Sequence, residues 1–247
     1  MSHFLVDCGN TRLKWAEAAP GVWRTGACDL PQADLAPMLD TQWGSVPVPQ
    51  RAVICCVGGE ARRQALVQWM QARWTLTPAI FQSAARTLDN VNHYRDPTSL
   101  GADRWAALLG ARALVPGAAC VVDCGTAVTV DALSAKGEFQ GGVILPGIRL
   151  LRAALTQGTS GVKQSDGSEA SCLGRSTADA VAGGTYYGLL GAIERCVREQ
   201  QIALGETVTV FLTGGDAERV AAELALQIRL VPDLVLRGLA RYAESLS

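Results

Sequence analysis

An acidic bend between two strands occurs twice in this chain, about half a length apart. Phe4 to Asp7 is an apolar run ending in a carboxylate, followed by Cys8-Gly9-Asn10-Thr11 and then Leu13-Lys14-Trp15-Ala16. Val121 to Asp123 opens a second copy, followed by Cys124-Gly125-Thr126-Ala127 and then Thr129-Val130-Asp131-Ala132. Apolar and β-branched residues on both sides of a tight Asp-x-Gly turn predict a β-hairpin each time. A single such bend carries little information, because Asp and Gly serve turn geometry in many folds. Two bends, with acids at 7 and 123 of 247 residues, predict a duplicated domain with a pseudo-twofold cleft.

The segments around the bends alternate between strand and helix, the pattern of an α/β protein. Arg51 to Val57 predicts a strand, Glu60 to Trp74 a helix and Ala79 to Gln82 a short strand. The stretch 89–97 is polar and turn-rich, after which Thr98 or Ser99 is placed to cap a helix running through Arg112. Pro116-Gly117 ends that helix and marks a domain boundary, giving domains 1–117 and 118–247. In the second half, Ala135-Lys136-Gly137 reads as a hairpin turn, Gly141 to Gly147 as a strand entering a loop, and Ile148 to Leu155 as a helix. Thr207 to Leu212 reads as a strand ending in Thr213-Gly214-Gly215-Asp216, with a helix over Ala217 to Leu226. The polar run 156–174 reads as a mobile loop.

Composition removes several functions. With 22 Lys+Arg against 23 Asp+Glu and a net charge of -1, no basic field is available for nucleic acid or an anionic membrane. The longest apolar stretch, 105–122, is broken by Arg112, Pro116 and Gly117, short of the roughly 20 apolar residues a membrane span needs. Asp7 interrupts the first apolar run too early for a signal peptide. These features predict a soluble, cytoplasmic protein. The eight cysteines form no C-x-x-C pair and read as reduced, mostly buried small side chains. Only His3 and His93, and only Lys14, Lys136 and Lys163, are present. Chemistry must therefore run on carboxylates, hydroxyls, arginines and backbone amides.

An Asp-x-Gly-[Asn/Thr] bend suits phosphate binding: glycine admits close approach of an anion, and amides and side-chain donors point at its oxygens. The acid itself repels phosphate, so it must hold a cation between them, Mg²⁺ or another ion that prefers oxygen ligands. The plainer reading is a pair of hairpins whose acids cap local amides; Gly142, Gly147 and Gly214-Gly215 at further strand ends favour phosphate. No G-x-x-x-x-G-K-[ST] occurs, and no strand-borne G-x-G-x-x-G, so any nucleotide site is neither a P-loop nor a dinucleotide fold. Asp103 and Arg104, in the first turn of the helix after Leu100-Gly101, have two readings. Asp103 complements the helix dipole and Arg104 is a solvated charge, or the two join Tyr94 and Pro97 as a base, an anion clamp and an aromatic wall.

Taken in order, these segments resemble the type III pantothenate kinases, relatives of the acetate and sugar kinases, heat-shock chaperones and actin. The resemblance rests on Asp7-x-Gly9-Asn10-Thr11 with Lys14, Tyr94 with Pro97, Gly101-Ala102-Asp103-Arg104, Asp123-x-Gly125-Thr126-Ala127-x-Thr129, Gly141-Gly142-x-Ile144-x-Pro146-Gly147 and Thr213-Gly214-Gly215. It implies an α/β homodimer whose subunits are two duplicated ribonuclease-H-like (actin-like ATPase) domains flanking a nucleotide cleft. It implies ATP-dependent phosphorylation of pantothenate to 4′-phosphopantothenate, the opening step toward coenzyme A, with Mg²⁺ and a monovalent cation, K⁺ or NH₄⁺. By position, the resemblance makes Asp7, Cys8, Gly9, Asn10, Thr11, Arg12, Leu13 and Lys14 the first phosphate segment, with Asp7 meeting Mg²⁺ through water. Thr126 becomes a further ATP contact and Asp123 the monovalent-cation ligand. Tyr94, Gly101, Ala102, Asp103, Arg104 and Thr177 become pantothenate contacts, with Asp103 the proton acceptor. Apart from the resemblance, the planar fork of Arg104 suits it to pair with the pantothenate carboxylate.

Two positions depart from the family pattern: Ser176 stands before Thr177 where Asn is common, and Cys55-Cys56 replaces expected small polar residues. Two rivals share the architecture, a non-catalytic nucleotide-binding accessory or regulatory protein, and another kinase or phosphatase of the superfamily. Asp7, Asp103 and Asp123 together argue against the first, and the Tyr94 to Arg104 corner against the second.

Overall fold

The computed structural model describes residues 1–32, 34–162 and 170–246. The chain divides into two compact units. The first gathers Met1–Pro116, Gly137–Phe139 and Asp233–Ser247, and the second gathers Gly117–Lys136 and Gln140–Pro232.

In the first unit, β1 (His3–Cys8), β2 (Arg12–Ala19) and β3 (Val22–Asp29) form an antiparallel meander. Helix α1 (Ala36–Trp43) leads to β4 (Arg51–Cys56), then α2 (Glu60–Trp74) to β5 (Ala79–Ile80). Strand β4 pairs in parallel with β1, and β5 with β4, giving the order β3-β2-β1-β4-β5. A small hairpin, β6 (Arg86–Thr87) and β7 (Asn90–Asn92), and a 3-10 turn over Pro97–Ser99 precede α3 (Ala102–Leu114).

The second unit repeats this plan. Strands β8 (Ala119–Cys124), β9 (Ala127–Leu133) and β10 (Glu138–Pro146) are followed by α4 (Ile148–Gly158), α5 (Thr177–Leu204), β11 (Thr209–Thr213), α6 (Ala217–Ala221) and β12 (Ile228–Leu230). The order is β10-β9-β8-β11-β12, with β8 antiparallel to β9 and parallel to β11, and β11 parallel to β12. In both units the strands lie third, second, first, fourth, fifth. The duplication read from two bends thus extends over whole sheets, the ribonuclease-H-like arrangement. The first residues of β10, Glu138 and Phe139, pair with Val91 and Asn92 of β7 and belong to the first unit.

The first core is built on tryptophan. Trp15, Trp43, Trp69 and Trp74 share one cluster with Phe4, and Trp43 and Trp74 each meet the Phe4 ring edge-on at 5.0 Å. Gly26 lies opposite Trp15 on β3, and any Cβ there would strike the indole ring. The second core packs α5 residues Tyr186, Leu189, Leu190 and Ile193 against β8, β9 and β11 residues including Val122, Val130 and Leu212.

Four sequence expectations meet a different structure. The C-terminal helix α7 (Leu234–Ser245) belongs to the first unit, where the 118–247 division had placed it in the second. Glycines make the difference: a Cβ on Gly238 would strike Ala106 O of α3, and one on Gly110 would strike Leu234 O. The two helices therefore cross with their backbones in contact. Neither Thr98 nor Ser99 caps α3; the Asp96 carboxylate takes Thr98 N–H at 3.0 Å and caps the 3-10 turn instead. The helix expected over 217–226 stops at Ala221, after which Glu223 N–H bonds back to Val220 O at 3.2 Å. Of the loop expected over 156–174, residues 156–158 complete α4 and residues 163–169 lie outside the described residues.

Gly238→Ala gains about 1 kcal/mol of helix propensity but drives a methyl into the α3 backbone, an overpacking cost of about 1–3 kcal/mol. Gly191 on α5 has nothing within 4 Å of its added Cβ. Chemical denaturation should show Gly238→Ala destabilised and Gly191→Ala stabilised.

Candidate active site

The Asp7 bend is braced by the segment that follows β4. Asp7 lies opposite Lys14 across the hairpin and beside Cys55 on β4, and is only 8% exposed. Gly9 N–H closes the bend on Arg12 O at 3.0 Å. Val57 and Gly58 donate N–H groups to Cys8 O at 3.0 and 3.2 Å, and Arg62 of α2 donates to Asn10 O at 2.7 Å. A Cβ on Gly58 would lie 2.5 Å from Gly9 O, so only glycine permits this approach. The result is a fixed bend whose Asn10, Thr11 and Arg12 are exposed, while Cys8 and Leu13 are buried in the core. Leu13, one of the expected phosphate contacts, has only its backbone to offer an anion.

Two thiols flank the bend. Cys8 and Cys56 stand side by side in register on β1 and β4, with Cys8 Sγ 3.9 Å from Gly9 O and Cys56 Sγ 3.7 Å from Gly59 O. The neighbouring Cys8 thiol, the Gly58 backbone and the charges of Arg63 and Arg62 lower Cys56 to about 7 against the effect of burial. The Cys56 thiol and burial push Cys8 up.

Also in the first unit stands the corner read from Tyr94, Gly101, Ala102, Asp103 and Arg104. Asn92, buried on β7, holds the loop by accepting Tyr94 N–H at 3.0 Å and donating to Pro97 O at 3.1 Å. Arg104 is 8% exposed, so it is not a solvated surface charge. Its Nη1 meets Tyr94 Oη at 3.1 Å, and its guanidinium lies 5.7 Å from the Tyr94 ring and 5.9 Å from the Phe139 ring. Two aromatic faces thus fix the plane of the fork.

Asp103 accepts the Arg104 N–H at 2.8 Å in the uncapped first turn of α3. Burial raises its carboxyl above the ordinary carboxylate value, opposed by that N–H and by the Arg104 charge. A Cβ on Gly101 would lie 2.6 Å from Asp103 Oδ1, so the glycine leaves room for the carboxylate. Arg62 and Phe139 had no sequence signal, because each acts through a contact distant along the chain, whereas Asn92 acts two and five residues away within a stretch read only as turn-rich.

The second unit holds Asp123, Thr126 and Thr177. Asp123 lies opposite Thr129 and beside Thr213 on β11. Its bend is closed by Gly125 N–H on Ala127 O at 3.1 Å. Gly147 donates to Thr126 O at 3.1 Å, and its Cβ would crowd Thr126 O at 2.6 Å and Gly125 O at 2.7 Å. Gly214, with φ +102°, packs on the Cys124 backbone, and Asp216 N–H bonds Cys124 O at 3.0 Å. The glycines singled out in sequence at 147 and 214 therefore converge on one bend. Thr177 is exposed at the start of α5, where Ser176 Oγ takes Asp179 N–H at 3.1 Å. Ser is as good an N-cap as Asn, which accounts for the departure at 176.

The family model described as type III pantothenate kinase matches residues 3–199. The chain belongs to the type III pantothenate kinase family. A relative named type III pantothenate kinase from Alkalilimnicola ehrlichii is 38% identical over 252 residues, covering 99% of each chain. Among solved structures, the activator of 2-hydroxyisocaproyl-CoA dehydratase from Clostridium difficile, with bound ADPNP, aligns with TM-score 0.56 and 13% identity over 99% of this chain and 95% of that one. A polyphosphate/ATP-glucomannokinase from an Arthrobacter species aligns with TM-score 0.50 and 14% identity over 100% and 99%. At such identities the likeness shows the fold alone.

Membership in a kinase family implies ATP and a divalent metal. Each bend offers one carboxylate among oxygen donors, which suits a hard cation that takes its other ligands from phosphate and water. Among the described residues, no three His, Cys, Asp or Glu side chains gather into a metal cage. No helix among them is long and apolar enough to cross a membrane.

Asp103 also bears on stability. A raised folded-state value means the ionised carboxylate costs the native state as pH climbs through the carboxylate range, and costs nothing where the group is protonated in both states. Asp103→Asn keeps an acceptor for Arg104 N–H and removes the charge. Its melting temperature should exceed the parent's at pH 7, with the gap closing as pH falls toward the carboxylate range.

Proposed function

We propose that this chain transfers the γ-phosphoryl group of ATP to the terminal hydroxyl of pantothenate, giving 4′-phosphopantothenate and opening coenzyme A biosynthesis. The family match supports the reading, and the observation that carries it to residues is the Asp103–Arg104–Tyr94 corner of the first unit.

An alcohol is a weak nucleophile, and phosphoryl transfer depends mainly on positioning and on neutralising phosphate charge. In this reading Asp103 takes the hydroxyl proton as the new O–P bond forms. Its burial makes it a stronger base than a solvated aspartate, and a general base accepts the proton in its ionised form. Arg104, its fork held by Tyr94 and Phe139, binds the pantothenate carboxylate in bidentate fashion. Tyr94, Gly101, Ala102 and Thr177 complete the pantothenate contacts.

The bend from Asp7 to Lys14 and Thr126 bind the phosphates of ATP, and Asp123 holds K⁺ or NH₄⁺. Mg²⁺, when bound near Asp7 through water, supplies neutralisation of the triphosphate charge. The active species is a homodimer of two actin-like ATPase domains per chain. Leu150, Leu155 and Tyr187 on α4 and α5, each more than a third exposed, offer the apolar surface a second copy would cover.

The purified protein with ATP, Mg²⁺ and pantothenate should yield 4′-phosphopantothenate by mass; no product would refute the assignment. Asp103→Asn should lower kcat by about 10²–10⁴ with ATP binding retained, and normal turnover would remove Asp103 from the mechanism. Asp123→Ala should abolish activation by K⁺, and unchanged K⁺ dependence would move the ion elsewhere.

A further inference from the structure

The thiols at the Asp7 bend form a pair with no counterpart at the Asp123 bend among the described residues. Cys8 occupies the middle position of Asp7-x-Gly9, and Cys56 is its in-register neighbour on β4. Parallel neighbours lie about 4.7–4.9 Å apart, inside the roughly 4.4–6.8 Å Cα range that a disulfide spans. Both side chains lie on the same side of the sheet, against the tryptophan core. Cys55, one residue earlier, alternates to the other face. Cys8 is fully buried, whereas Cys56 is half-buried, with Sγ 3.7 Å from Gly59 O at the start of α2. In the second unit the matching acid-strand cysteine, Cys124, lies opposite Val128 and packs against Gly214.

We propose that Cys8 and Cys56 are a dithiol modification site, closed to a disulfide by hydrogen peroxide, and that closure inhibits the kinase. The Cys56 sulfur attacks one peroxide oxygen, the O–O bond breaks, water leaves and a sulfenic acid remains. Cys8 then attacks the Cys56 sulfur, the S–O bond breaks and a second water leaves. Two thiols and one peroxide give one disulfide and two waters; the sulfurs lose two electrons and the peroxide gains them.

The consequence follows from position. Val57 and Gly58, the two residues after Cys56, donate to Cys8 O. A covalent link at 8–56 shifts the carbonyl and the amides that shape the bend at the same time. Loss of ATP binding rests on the phosphate role proposed for that bend, whereas formation of the bond does not.

The test treats the full chain with hydrogen peroxide, maps peptides by mass spectrometry without reduction, and follows kinase activity and Mg·ATP affinity in parallel. The expected result is a linked peptide joining Cys8 to Cys56, lighter by two hydrogens. Activity and ATP affinity should fall in step with it and return on addition of dithiothreitol. Cys56→Ser should keep its untreated activity and resist peroxide, and Cys28→Ser should remain sensitive. Oxidation that never joins 8 to 56, or inhibition that persists in Cys56→Ser, would overturn the site. A complete 8–56 link with unchanged ATP affinity would overturn the inhibition and point to a phosphate site elsewhere, while product formation by the untreated enzyme reads the kinase assignment independently.

Discussion

One contact recurs at the heart of each unit: the carbonyl oxygen that follows the acid, on Cys8 or Cys124, accepts an N–H from the loop leaving the neighbouring parallel strand. A parallel pair cannot close with a tight turn, so the chain must cross over through a helix before returning. The loop after the second parallel strand is therefore free to reach across and grip the first hairpin. Glycine is needed at the contact, at Gly58 against Gly9 O and at Gly214 against Cys124. The two acids are thereby set on rigid bends at strand ends, with backbone amides close by, the arrangement that suits a charged ligand bridged by a cation.

The corner around Asp103 is built on a different compromise. An aspartate in the first turn of a helix would ordinarily be a modest stabiliser through the helix dipole. Here the dominant influence is burial, which raises the carboxyl and makes the residue a local cost. Gly101 leaves the carboxylate its space, and Arg104 is pinned by two rings rather than by solvent. Stability surrendered at a site that gains basicity is the expected signature of a working group.

Much of this was legible in the sequence, for identifiable reasons. The hairpins at 7 and 123 stood out because strand alternation and a glycine turn are local signals. Helix α2 matched its expected span because its first-turn Glu60 and its apolar face both lie within one segment. Less legible was the allegiance of α7, since Gly110 and Gly238 meet across 128 positions of chain and a glycine inside a helix normally reads as a weakness. The cap of α3 was misplaced for a local reason: Asp96, two residues before Thr98, takes its amide and caps the 3-10 turn instead. Phe139 is the plainest case. It sits in the second half of the sequence, pairs with β7, and completes the wall around Arg104 in the first unit.

The proposed function gives each acidic bend a part in binding ATP. Hydrogen–deuterium exchange of the purified protein with Mg·ATP reads it directly. Slowed exchange is expected at the amides of 9–12 and of 125–127 together, and no such slowing with pantothenate alone. Protection confined to one bend, or absent from both while ATP is bound, would contradict it.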